Sequence, residues 1–218
     1  MNQRNRLDAE LQHILPGARL EETTIADARG LRLCLLSADY PQHELDAAAI
    51  RAIMDNPLYW VFCWASGQVL AKFLLDDPQW VQGKRVLDFG CGSGILAIAA
   101  ALLGARIVYA RDIDPQALEA TRNNALRNEV ADRVLTAPAD GEIPGCDLLI
   151  SNILAGTLMD LAPNFARALP GGARVVLSGI LAEQAAAVIE AYSPWFGLQQ
   201  LAEQDGWILL AGHRQETD

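Results

Sequence analysis

The chain has 218 residues, of which 51% are hydrophobic and 20% are charged. This length fits one large globular domain, and the composition excludes a disordered tail. The 17 Lys and Arg residues against 27 Asp and Glu residues give a net charge of −10. Such an acidic surface repels phosphates, which argues against nucleic acid or an anionic membrane as the main partner.

The spacing of the cysteines and the length of the apolar runs indicate in which cellular compartment the protein lies. The apolar run at residues 95–103 is about half of the ~20 residues that a membrane-spanning helix needs. The polar N-terminus, with charges on both sides of Leu7, is not typical of a signal peptide. The four cysteines are widely spaced and form no CxxC pair, so the sequence predicts neither a disulfide framework nor a metal site. We therefore expect a soluble cytoplasmic protein.

The first 55 residues give a mixed pattern that differs from the rest of the chain. Apolar spacing and the flanking Pro, Gly and Asn residues predict a helix at 7–15, a strand at 31–36 and a helix at 45–54. We interpret residues 1–55 as an N-terminal extension, either on the substrate side or forming a cap. A single domain is expected over residues 56–218.

Beyond a predicted helix at 67–75, strands and helices alternate strictly. The predicted strands are 85–89, 106–110, 134–137, 148–151 and 174–178, and the predicted helices follow the glycines to 103 and then span 115–128, 157–168 and 181–191. This alternation is typical of a parallel sheet covered by helices on both faces.

The last two strand-like runs break the alternation. Residues 198–203 and 207–211 are joined by a segment that contains Asp205-Gly206, which is a hairpin signal. The predicted fold class is therefore α/β, with a Rossmann-like, doubly wound sheet of seven strands. The sheet is mostly parallel and ends in an antiparallel β-hairpin.

A glycine-rich turn follows the first strand of the predicted sheet. Asp88 precedes Gly90, Gly92 and Gly94, and alternate glycines let the backbone turn tightly and approach a ligand. The G-x-G-x-G spacing differs from the G-x-G-x-x-G of dinucleotide sites, and the Asp88 carboxylate would repel a pyrophosphate. The same carboxylate suits a ligand with an ammonium group and no phosphate. The pattern therefore favours S-adenosylmethionine (SAM) over NAD.

Two further acids follow the next two predicted strands. Asp112 lies 22 residues after Gly90, close to the ~20-residue offset at which an acid reaches a ribose hydroxyl. We expect Ile113 on the adenine face and Asp140 at the adenine amino group. Asp114 precedes a proline and is interpreted as a helix N-cap.

The fourth predicted strand ends at Asn152. A SAM methyl group would point at this tip, so Asn152 is expected to contact the cofactor and to help form the acceptor pocket. The alternative is a buried Asn that fixes its own turn.

The D-x-G-x-G-x-G motif, the second-strand acid and the final hairpin together resemble the class I SAM-dependent methyltransferases over about residues 56–213. Within that class, the segments VLDFGCGSGILAIAA, RDIDPQALEATRNNA, SNILAG and LSGIL resemble the PrmA-type ribosomal-protein lysine methyltransferases. The block at 57–68, together with GKRVLD and LLDDP, resembles the lysine methyltransferases of the electron-transfer flavoprotein β subunit. Unlike PrmA, the chain shows no clear separate N-terminal substrate domain.

The resemblance implies that Trp60, Trp64, Ser66 and Gly67 lie over the SAM pocket. Cys91, between the first two glycines, belongs to the same expected cofactor-binding set. An aromatic pair at i and i+4 could equally serve core packing.

Trp60 and Asn152 are the two residues that we expect at the site of methyl transfer. Trp60, Phe62 and Trp64 would form an apolar entrance that favours an uncharged amine by desolvation. The segment Ser-Asn-Ile-Leu replaces the Asn/Asp-Pro-Pro-Tyr of enzymes that methylate planar nitrogens, which favours an amine acceptor.

The expected reaction is methyl transfer from SAM to an amine nitrogen, with S-adenosylhomocysteine (SAH) as product. By resemblance the acceptor is a protein lysine, on a ribosomal protein or on the electron-transfer flavoprotein β subunit. A small-molecule amine is the alternative acceptor. An NAD-linked oxidoreductase and a non-catalytic SAM-binding module remain as alternatives of a different class.

Overall fold

The computed structural model describes residues 3–25, 30–40 and 58–216. The predicted helix at 45–54 and the predicted domain boundary at 55/56 lie outside these residues. The helices are α1 Gln3–Ile14, α2 Ala65–Asp76, α3 Ile95–Leu102, α4 Pro115–Arg127, α5 Ala155–Ala168 and α6 Ala185–Tyr192, with 3-10 turns at Tyr59–Val61, Pro78–Trp80 and Ala182–Gln184. The strands are β1 Leu20–Ile25, β2 Leu31–Leu36, β3 Arg85–Phe89, β4 Ile107–Asp112, β5 Val134–Pro138, β6 Leu148–Asn152, β7 Arg174–Leu181, β8 Phe196–Gln204 and β9 Trp207–Arg214. No helix in the described ranges combines the length and the apolar character needed to cross a bilayer.

Seven of the strands form one sheet in the order β5-β4-β3-β6-β7-β9-β8. Strands β3 to β7 run parallel, and β9 pairs antiparallel with both β7 and β8. The predicted fold class is therefore confirmed, including the terminal hairpin. The chain moves from β3 towards β5 and then returns to the other side of β3, so the crevice for a ligand lies at the carboxyl ends of β3 and β6.

The core lies on both faces of this sheet. Val86, Ile150 and Val176 belong to the apolar cluster on one face, and their neighbours Leu87 and Leu149 belong to the cluster on the other. This alternation follows from the two-residue period of a strand. Because both faces are buried, the central strands are continuous apolar runs, which is why the sequence pattern predicts them well.

The described N-terminal residues form a helix and an antiparallel hairpin that share the core of the sheet domain. Leu31 and Leu33 of β2 belong to the cluster that contains Val86. Leu7 and Leu11 of α1 pack in a third cluster that also includes residues of α4 and the 3-10 turn at 59–61. The separation of residues 1–55 from residues 56–218 stays a prediction.

Candidate functional site

The glycine turn joins β3 to α3 with the backbone in the left-handed region. The φ angles of Gly90, Gly92 and Gly94 are 79°, 52° and 86°, a conformation that costs other residues strain. A Cβ on Gly94 would lie 3.0 Å from the side chain of Thr121. The turn is therefore packed directly against α4, and glycine is needed at position 94 for space as well as for φ.

Asp112 holds the turn from the end of β4. Its Oδ2 accepts a hydrogen bond from the Gly92 N–H at 2.9 Å, and its Oδ1 accepts one from the Asp114 N–H at 3.0 Å. Each carboxylate oxygen keeps a second lone pair that can accept from a hydroxyl group. Asp114 caps α4 by accepting from the Gln116 N–H at 2.8 Å, so the predicted N-cap is confirmed.

Asp88 lies behind the glycine turn and has no exposed surface. Its Oδ2 accepts from the Ala97 N–H at 2.9 Å, whereas Oδ1 has no hydrogen-bond partner among the described residues. Burial, with a smaller contribution from the charge of Asp112, raises the pKa of Asp88 to about 7. The carboxyl group thus anchors the start of α3, and its contact with an ammonium group stays a prediction.

Asn152 ends β6 and lies against the start of α2. A Cβ on Gly67 would lie 3.1 Å from Asn152 Nδ2 and 3.7 Å from Ile95 Cγ2. The Ser66 carbonyl accepts a hydrogen bond from Ser178 Oγ at 3.1 Å. The structure therefore brings Ser66 and Gly67 next to Asn152. The Oδ1 atom of Asn152 is buried and has no hydrogen-bond partner in the described part of the chain.

The two tryptophans occupy different environments. The Trp60 side chain is 1% exposed, and its Nε1 donates to Gln116 Oε1 at 3.2 Å. Trp64 is 44% exposed and contacts the Phe62 ring edge-on at 5.4 Å. Trp60 is therefore buried beside the glycine turn, where a Cβ on Gly92 would lie 4.0 Å from the Trp60 Cα, and its expected place over the SAM pocket stays a prediction. A part for Trp60 in methyl transfer stays a prediction.

The remaining predicted cofactor residues follow the carboxyl ends of β3, β4 and β5. Ile113 is 87% exposed immediately after β4, and Asp140 is exposed two residues after the end of β5. Cys91 is buried, and its Sγ lies 3.4 Å from Thr121 Oγ1. Burial raises the pKa of the Cys91 thiol, which suits a packing residue better than a nucleophile. Their contacts with a cofactor stay predictions.

The sequence predictions do not include Gly179 of β7, yet it shapes this site. Its φ is 81°, and an added Cβ would overlap the carbonyl oxygen of Ile153. An added Cβ on Gly90 would overlap the Ile153 side chain. Ile153, which follows Asn152, is therefore seated between two glycines. A glycine inside a strand pattern, as in LSGIL, is the signal that could have indicated this close approach.

The polar groups of the site suit an adenosyl compound. Asp112 can accept from ribose hydroxyls, and the buried Asp88 and Asn152 oxygens can accept from ligand or acceptor N–H groups. No group of three or more His, Cys, Asp or Glu side chains in the described ranges could hold a metal ion.

Comparison with known proteins assigns the chain to a family. The sequence profile of the ribosomal protein L11 methyltransferase (PrmA) family matches residues 72–215. The enzyme named ribosomal protein L11 methyltransferase from Pseudomonas paraeruginosa is 53% identical over 141 residues, which are 64% of this chain and 48% of that protein. The Pseudomonas fluorescens protein of the same name is 49% identical over 144 residues, 63% of this chain and 49% of that protein.

Solved structures agree with this assignment. A crystal structure of ribosomal protein L11 methylase from Lactobacillus delbrueckii superposes with a TM-score of 0.61 at 32% identity, covering 69% of this chain and 79% of that one. An RNA methyltransferase from Salinibacter ruber in complex with SAH has a TM-score of 0.57 at 19% identity over 69% of this chain and 93% of that one, and supports the fold alone. The chain spans about half the length of the curated relatives that it matches. It belongs to the PrmA family of class I SAM-dependent methyltransferases.

Proposed function

We propose that this chain is a SAM-dependent N-methyltransferase whose acceptor is a lysine amine of a protein. The observation that supports this most directly is the position of Asn152. Its carboxamide, of which the Oδ1 atom is buried, lies beside Gly67, and the next residue, Ile153, packs on Gly90 of the glycine turn. An amide oxygen in this place can orient an acceptor amine towards a methyl group held at the turn.

The proposed reaction depends on the positioning of the acceptor amine against the methyl group and does not need a strong base. When bound, SAM supplies a methyl group already activated by the sulfonium. Asp112 would hold the ribose, and Asn152 Oδ1 would accept an N–H of the acceptor and so orient its nitrogen for methyl transfer. Bound SAM would give its methyl group to the amine nitrogen and keep the electrons of the broken carbon–sulfur bond, and the excess proton of the amine would leave to water.

A neutral amine is required, because a protonated lysine has no lone pair to donate. The free side chain has a pKa near ~10.4 and is mostly protonated at neutral pH. Ile95 and Ile153 provide apolar surface beside Asn152 and the glycine turn, and exclusion of water there favours the uncharged form.

The proposed acceptor is a ribosomal protein, and the proposed location is the cytoplasm. Relatives named ribosomal protein L11 methyltransferase support the substrate, and the net charge of −10 suits a basic partner by charge complementarity. The flavoprotein β subunit remains a second protein candidate by resemblance alone.

Isotope transfer and SAH binding test the proposal together. We expect label from methyl-labelled SAM to appear on lysine nitrogen of ribosomal protein L11, located by mass spectrometry. Asp112→Asn should weaken SAH binding about 10- to 100-fold, because a hydrogen bond to a charged group is worth ~1.5–3 kcal/mol. Asp132→Asn, at an exposed position beside Arg133, is the matched control and should leave the SAH Kd unchanged.

The reaction step is tested separately at Asn152. Asn152→Ala should lower kcat at least tenfold while the SAH Kd stays within about threefold, since the amide would act on the acceptor more than on the cofactor. Lack of SAH binding by the unmodified chain would contradict the proposed function. Label found exclusively on residues other than lysine would contradict the acceptor.

A further inference from the structure

Helix α4 holds the glycine turn through two buried side chains. Thr121 Oγ1 donates to the Gly92 carbonyl at 3.0 Å, and Asn124 Nδ2 donates to the Ser93 carbonyl at 2.8 Å. Both side chains are fully buried, and residues three apart lie on the same face of a helix. Two successive carbonyls of the turn are therefore fixed to one helix face.

Asn124 makes a second connection on its other side. Its Oδ1 accepts a hydrogen bond from the Cys34 N–H of β2 at 2.8 Å. A carboxamide offers a donor and an acceptor in one rigid plane, which neither a carboxylate nor a hydroxyl of similar length reproduces. Asn124 thus joins the N-terminal hairpin to the glycine turn. Its partner in the hairpin is 90 residues away in sequence, and its partner in the turn is 31 residues away.

Asn128, the C-cap residue of α4, offers a natural comparison. Asn128 Oδ1 accepts from the Arg32 N–H at 2.9 Å, and Asn128 Nδ2 donates to the Arg32 carbonyl at 2.6 Å. Asn128 therefore binds the same strand with the same side-chain chemistry. Its Nδ2 also donates to the Asn124 carbonyl at 2.7 Å, but its side chain makes no hydrogen bond to the glycine turn within the described ranges. Asn128 therefore separates support of the hairpin from support of the turn.

We infer that Asn124, together with Thr121, is a positioning residue for the SAM site, and that the N-terminal hairpin supports the cofactor turn. This inference rests on the proposed function. Glycine has more conformational freedom than any other residue, and the turn has three glycines at positive φ. Contacts with the surrounding structure therefore have to hold the turn in its binding geometry. If the turn populates its binding geometry a smaller fraction of the time, the apparent Kd rises by the same factor.

Four variants test the inference with SAH as the probe in calorimetric titrations of the full chain. Asn124→Leu keeps the branched shape at Cγ and removes both hydrogen bonds. Asn128→Leu removes the matching bonds to β2 and a bond to the Asn124 carbonyl, but none to the glycine turn. Thr121→Val removes the hydroxyl donor, and Thr121→Ser restores it. We expect Asn124→Leu and Thr121→Val to raise the SAH Kd by 5- to 20-fold. Asn128→Leu and Thr121→Ser should stay within twofold of the unmodified chain.

Steady-state kinetics separate an effect on SAM binding from a general loss of stability, because they give KM and kcat independently. For Thr121→Val, KM for SAM should rise by the same factor as the Kd, while kcat at saturating SAM stays within twofold, because bound ligand restores the turn. Circular dichroism confirms folding, and Thr121→Val decides the question if Asn124→Leu does not fold.

Two results would overturn the inference. A folded Thr121→Val with an unchanged SAH Kd would show that the carbonyl anchors do not matter for binding. Equal weakening by Asn128→Leu and Asn124→Leu would show that hairpin stability alone is responsible. Both are distinct from failure of the proposed function, in which the unmodified chain itself does not bind SAH.

Discussion

Asp88 places an ionisable group in the core directly beneath the glycine turn. One oxygen is committed to the Ala97 N–H, and the other has no partner among the described residues. Burial penalises the charged form, so the pKa of Asp88 rises to about 7 from the ~3.9 of an exposed aspartate. At neutral pH the carboxyl group of the ligand-free protein is therefore close to the midpoint of its titration. A charged ligand that binds nearby would shift this protonation equilibrium.

The raised pKa predicts how stability depends on pH. Between about pH 4 and pH 7, the folded chain binds this proton and the unfolded chain does not, so the contribution of Asp88 to stability falls as pH rises, by up to ~1.4 kcal/mol per unit. Below this window both states are protonated and the contribution is constant. Above it both states are ionised and the loss is complete.

Asp88→Asn removes this titration and should gain stability relative to the unmodified chain as pH rises from 4 to 7. The gain should be level above pH 8, as measured by urea unfolding without ligand. Asp88→Leu is the matched variant, because it also removes the titration but loses the bond to Ala97. It should show the same pH dependence at a lower absolute stability. A difference independent of pH would exclude a raised pKa.

The individual site residues differ in how well their positions can be predicted from the sequence. Asp112 and Asn152 could be predicted because parallel strands end at one edge, so residues at successive strand ends meet there. The burial of Trp60 could not, since an aromatic pair at i and i+4 is compatible with both a core and an entrance. Asn124 could not be singled out either, because its two partners are distant in sequence and an Asn on a helix gives no local signal.

At the scale of elements, contacts with β7 fix the position of the loop between β6 and α5. Ile153 is seated between Gly90 and Gly179, and Ser178 fixes the Ser66 carbonyl of α2 from the neighbouring position. A single strand thus places both the loop that follows Asn152 and the helix start that faces it. Since packed cores do not deform continuously, a change on β7 should be transmitted to the acceptor side of the site.

Gly179→Ala tests this placement, and Gly172→Ala is its matched control. Both glycines have φ near 80°, so both substitutions carry left-handed strain of ~1–2 kcal/mol. An added Cβ meets nothing within 4 Å at Gly172, whereas at Gly179 it overlaps the Ile153 carbonyl. We expect both to lose stability in chemical unfolding, and Gly179→Ala alone to lower kcat at least tenfold. Equal kcat values would contradict the role of Gly179.

The elements themselves were largely predictable, and the exceptions have physical causes. The predicted strand 85–89 coincides with β3, because a central strand is buried on both faces and appears as an apolar run. β1 was not predicted. Its sequence LEETTI has polar residues at four of six positions, and it is stabilised by pairing with β2, which a local pattern does not contain.

At the scale of the whole molecule, the N-terminal residues bear on how the chain unfolds. Leu33 of β2 is fully buried in the cluster that contains Leu70 and Val86, and β2 packs on helices α3 and α4, which cover the central sheet. A segment that shares its core with the sheet should unfold together with it. A detachable extension would instead unfold first and leave the sheet intact.

Leu33→Ala distinguishes these two behaviours. Truncation of a buried leucine costs ~2–5 kcal/mol, and if the core is shared the whole chain should unfold in one transition shifted to lower denaturant. Leu201→Ala, at a position that is 46% exposed on β8, is the control for the same chemical change and should shift the midpoint little. Hydrogen exchange adds the spatial readout: amides of β3 and β6 should lose protection in Leu33→Ala. Loss of protection confined to β1 and β2 would show a separate N-terminal unit, and the glycine turn would then depend on the hairpin only through Asn124.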